Sequence, residues 1–181
     1  MDNDVNFFAW ASAFLFLFLA LRTHLKNVSG KIGLVCLLIS SAGLLLAGIF
    51  TTDPITSEIP TTSGNLHNLG GTLGMAMPLS ALFICISVFK NPAWAPEKKQ
   101  ILWATIFALM GFVVSAGSLG YMFSQSNGKP GPNVWVGLPT RFEILTYCVW
   151  LIILAGKTLK ITHTKKSSQW QKQISKQLTT I

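Results

Sequence analysis

The chain has 181 residues, 50% hydrophobic and only 11% charged, with a mean hydropathy of +0.50, so its charges are too few to coat a soluble globule. Its apolar residues come in uncharged runs rather than alternations, which indicates an all-α fold, a polytopic transmembrane helical bundle of about five spans. The formal charge of +8 and the pI near 9.7 suit a nucleic-acid binder, but in a chain this hydrophobic Lys and Arg serve membrane orientation, and nucleic acid is set aside as a partner.

In chain order, spans are expected near 5–22, 32–50, 68–89, 101–123 and 141–159, making a bundle of residues 1–160 with a basic tail at 161–181. The first run, Phe7–Leu21, is short for a span and needs Val5, Asn6 and a snorkelling Arg22 to cross the bilayer. The residues before it are acidic, unlike the basic start of a secretory signal, so the run is expected to be retained. The second span carries a stripe of Ser40, Ser41, Gly43 and Gly48, suited to close helix packing. The third opens on Gly70, Gly71 and Gly74 and should bend near Pro78. Pro92 and Pro96 forbid helix continuation in the next loop, where Trp94 suits a membrane interface. The segment 124–139, rich in Gly and Pro, reads as a loop anchored by Trp135. In the tail, Trp170, Ile174, Leu178 and Ile181 recur at helical spacing with Lys172 and Lys176 between them, which fits either an amphipathic interfacial helix or a frayed basic end.

Five spans fix alternating sides, and twelve of the fourteen Lys and Arg then fall on one of them, leaving Lys129 and Arg141 on the other. The positive-inside rule puts that basic side in the cytoplasm, with the C-terminus, and the N-terminus outside, in a cell (inner) membrane. Cys36, Cys85 and Cys148 lie singly in separate apolar runs, as buried small hydrophobes would.

The stretch from Thr51 to Gly71 is where titratable, hydroxyl and glycine residues crowd between two apolar runs. Together with Arg141 and Glu143 it makes one candidate site at the outer boundary. Imidazole in general suits proton transfer near neutral pH, which makes His67 the candidate, with Asp53 orienting it and Arg141 holding an anionic lipid headgroup. As a binding mouth, the same region offers Thr52, Asn65, Arg141, Glu143 and Trp135. Asp53 with Arg141 equally fits an interfacial ion pair that locks helices together. One outer histidine with scattered carboxylates is too little for a catalytic zinc, so no metal is expected, and the absence of a Gly-x-Ser-x-Gly elbow, a Walker loop or His-Glu-x-x-His leaves no cofactor implied.

Thr52-Asp53-Pro54 after Gly48, then Thr62, Gly64, His67 and Gly71, then Pro78 and Trp94, and Gly137-Leu138 with Arg141 resemble the domain of unknown function 998 family, from about Phe7 to Leu159. The resemblance implies a small polytopic helical membrane protein with no assigned chemistry, and it supports Asp53, His67 and Arg141 as a set. Many members carry an additional N-terminal span, from which a five-span count departs. Three function classes stay open: a structural or accessory bundle partnering lipid bilayer and another membrane protein; a lipid or small-molecule binder or small transporter; and an outward-facing enzyme acting on a lipid headgroup.

Overall fold

A computed structural model describes residues 2–53, 59, 61–125 and 137–178. Six α-helices account for almost all of them: α1 (Asp2–Leu21), α2 (Val28–Ile49), α3 (Thr62–Gly74), α4 (Met77–Lys90), α5 (Lys98–Gln125) and α6 (Gly137–Leu178). Four stretches are long and apolar enough to cross a membrane, namely Val28–Ile49, Thr62–Lys90, Pro92–Gln125 and Leu138–Thr164, while the apolar part of α1, Val5–Leu21, is shorter. The outward faces are as apolar as the core, with Phe16, Ile49, Val113 and Ile152 each more than half exposed. Water would not tolerate such a surface and lipid does, so this is an integral membrane helical bundle.

Local chemistry sets the helix ends. Asn27 caps α2 by accepting from the Gly30 amide at 2.8 Å, and Thr61 caps α3 by accepting from the Gly64 amide at 3.0 Å. That cap starts α3 at Thr62, ahead of the apolar run. The crossing then breaks at Met75–Ala76, with Pro78 in the first turn of α4, where a missing N–H costs nothing. Pro92 and Pro96 shape a 3₁₀ helix, Pro92–Glu97, that turns Trp94 inward: its side chain is completely buried, not at the interface where its composition suggested. The basic tail continues α6 without interruption to Leu178, a helix of 42 residues.

The helices pack in a ring: α1 on α2, α2 on α3 and α4, α4 on α5, α5 on α6, and α6 back on α1. Trp94, Trp150, Phe14, Leu37 and Ile84 fill the centre. The small residues of α2 act as its packing face. A Cβ on Gly43 would stand 2.6 Å from the Gly70 carbonyl oxygen, and one on Gly70 2.6 Å from the Ala47 nitrogen, so α2 and α3 touch backbone to backbone. Ser41 Oγ donates to Ala11 O on α1 and Ser80 Oγ on α4 donates to Gly33 O, both at 2.8 Å, stitching three helices at buried positions.

Candidate functional site

The α2–α3 junction gathers the polar residues that the sequence singles out. A helix that ends in a membrane leaves its last carbonyls without partners, and α2 meets this need with a side chain from α3. His67 Nδ1 lies 2.9 Å from both Ala47 O and Phe50 O. Carbonyl oxygens only accept, so Nδ1 carries the proton and donates to both. The ring also stands edge-on to Phe7 of α1, with centroids 5.8 Å apart, so one imidazole contacts α1, α2 and α3.

Asp53 acts on the other side of the same junction. Its Oδ1 accepts from Thr61 Oγ1 at 2.6 Å and its Oδ2 from the Thr61 amide at 2.8 Å. The Thr61 hydroxyl and then its amide hold the Asp53 carboxyl below the ordinary carboxylate value. Gly64 lies directly under the carboxylate, and a Cβ there would occupy the space of Oδ2. Thr51 and Ser63 add a second tie, the Thr51 amide donating to Ser63 Oγ and that hydroxyl to Thr51 O, both at 3.1 Å.

Of the remaining predicted residues, Thr52 and Asn65 flank the Asp53–Thr61 contact, and Arg141 and Glu143 lie on α6. Thr52 is exposed, and its hydroxyl donates to the Asp53 carbonyl oxygen at 3.4 Å; Asn65 is exposed on the first turn of α3. Arg141 is exposed near the start of α6, and it forms no salt bridge with Asp53, whose two oxygens are taken by Thr61. Glu143, half-buried on α6, has its carboxyl hydrogen-bonded by Ser115 of α5. One turn on, the buried Tyr147 hydroxyl has no partner among the described residues, and further along Trp150 Nε1 donates to Thr105 Oγ1 at 3.1 Å. Trp135 lies outside the described residues.

At the opposite, basic end the structure builds a cluster that sequence reasoning missed. Glu97 is buried, its side chain 3% exposed, and its two oxygens meet Lys157 Nζ at 2.8 Å and Lys160 Nζ at 2.6 Å. Beside it, the Trp94 ring meets His24 edge-on, and His24 Nε2 lies 3.1 Å from Thr162 Oγ1. Asn27 and Ser87 exchange hydrogen bonds between α2 and α4, and Asn91 Nδ2 donates to His24 O. The signal in the sequence was Glu97 itself, the one acid on the side where a five-span reading gathers twelve cations. Among the described residues, no group of three or more His, Cys, Asp and Glu side chains stands together as a metal site.

A family model described as "Protein of unknown function (DUF998)" matches residues 4–157, most of the chain. No curated protein and no solved structure matches it.

Proposed function

The chain belongs to the DUF998 family, and from that premise we propose that it works as a structural or accessory helical bundle of the membrane, its polar cluster serving to hold the bundle closed. One observation carries this reading: both oxygens of Asp53 and Nδ1 of His67 are spent on groups of the same α2–α3 junction. A latch of this kind gives a bilayer or a neighbouring membrane protein a rigid face to pack against, and the exposed apolar flanks supply that face. The twelve-to-two basic asymmetry supports placing the Glu97 end in the cytoplasm and the latch outside, in the cell membrane.

The lipid-headgroup enzyme is the competing reading of the same residues. A neutral His67 with its proton on Nδ1 keeps a lone pair on Nε2, which would be the general base, with Asp53 and Arg141 in supporting roles. Asparagine separates the two readings, because its amide N–H stands near the place of the histidine Nδ1–H yet does not titrate. His67→Asn is expected to keep the cap on α2 and to restore fully whatever growth or lipid-composition defect follows deletion of the chain, whereas His67→Leu, which strands the carbonyls, should lower the amount of folded protein. A His67→Asn protein that folds with undiminished stability and restores nothing would favour chemistry at His67.

A further inference from the structure

Away from the latch, α1 and α6 close the ring incompletely and leave a lateral groove of about 610 Å³. Its walls are made shallow by Ala13, Ala20 and Ala155 and greasy by Leu17, Ile152 and Leu159, and it ends at Thr23, His24, Thr158 and Thr162. From the geometry and the charge around that polar end we infer that the groove holds one acyl chain of an anionic phospholipid, with the headgroup at the His24–Thr162 end.

Size and lining suit a hydrocarbon chain, falling in the ordinary range of about 300–1,000 Å³ for small-molecule sites. A groove that opens sideways between membrane helices takes up hydrocarbon rather than water. The polar end is closed by a hydrogen bond of its own. Thr162 Oγ1 gives its single proton to Thr158 O at 2.8 Å, so its contact with His24 must run the other way, with His24 Nε2–H donating. This clasp joins α1 to α6 at the mouth. Thr158, Thr162 and Lys166 follow one another four residues apart on α6, so the exposed Lys166 stands one turn beyond the mouth on the face that lines the groove. Exposed Arg22 adjoins Thr23, and the nearby acid Glu97 is already matched by Lys157 and Lys160. The surplus charge at the mouth is positive, which favours a net-negative headgroup over a zwitterionic one.

The test uses the purified full chain, reconstituted in vesicles of equimolar phosphatidylglycerol and phosphatidylcholine, re-extracted in mild detergent and assayed by mass spectrometry for lipid retained per protein. The expected result is at least a fivefold preference for phosphatidylglycerol. Ala20 is exposed, so Ala20→Trp fills the groove without entering the core, and it should lose the retained lipid; Ala13→Phe serves the same purpose should the first variant fold poorly. Lys166→Glu should keep the acyl chain but bring the preference close to onefold. Equal retention of the two lipids by the wild type, a preference that survives the groove-filling variants, or light scattering that shows a dimer dissociated by Ala20→Trp would each overturn the proposal, the last by assigning the groove to a second copy of the chain.

Discussion

Replacing Lys157 and Lys160 together with methionine is expected to cost about 3 kcal/mol, the low end for stranding a buried charge, because Glu97 would stay inside the bundle with no cation to meet it. At 2–4 °C per kcal/mol for a chain of this size, that is a fall of roughly 6–12 °C in the melting temperature. The single variants should differ. Lys157 is the more buried of the two, its side chain 21% exposed against 65% for Lys160, so Lys157→Met should carry most of the loss. Adding Glu97→Leu to the double variant should recover most of it, since no charge is then left unpaired. Melting of the four variants and the wild type in one detergent checks the whole set, and a double variant as stable as the wild type would mean that Glu97 reaches water.

The second large effect is expected one residue away from a site with none. A Cβ at Gly70 would meet the Ala47 nitrogen and the Gly43 oxygen at 2.6 Å, and backbone atoms in the middle of a helix have nowhere to go. Gly70→Ala should therefore cost about 2 kcal/mol or more by forcing α2 and α3 apart. At Gly71 an added Cβ has no atom within 4 Å, and the same substitution should instead gain up to about 1 kcal/mol from helix propensity. Parallel thermal unfolding of the two variants measures the difference, and similar melting temperatures would contradict the backbone contact.

How far the chain could be read in advance follows from what leaves a trace in sequence. Charge-free runs mark spans directly, and the small residues of α2 were legible as a packing face because close approach demands them. Pro78 announced the break between α3 and α4 for an equally local reason. The pairing of Glu97 with Lys157 and Lys160 was not legible, because it joins a connector to a helix some sixty residues on, and only the 3₁₀ turn carries Glu97 there. Trp94 misled for the same reason: composition suited it to an interface, and the turn buries it. At the candidate site, Asp53 and His67 were visible as polar residues out of place, yet the main-chain groups that engage them belong to peptide bonds, which every sequence has.

The claim that the α2–α3 junction is a latch is tested most directly by pH, at Asp53. Its folded carboxyl titrates below the ordinary value, so it binds fewer protons folded than unfolded, and its stabilisation is complete above the unfolded value of about 3.9 and lost as pH falls through the depressed folded one. Asp53→Asn removes both charge and titration and turns an N–H towards the donor groups of Thr61. The measurement is the difference in melting temperature between wild type and Asp53→Asn from pH 7 down to pH 3. If the latch holds, the wild type is more stable at pH 7, with a gap that persists until the ordinary carboxylate range and shrinks below it. No gap at pH 7, or one that does not change with pH, would contradict it.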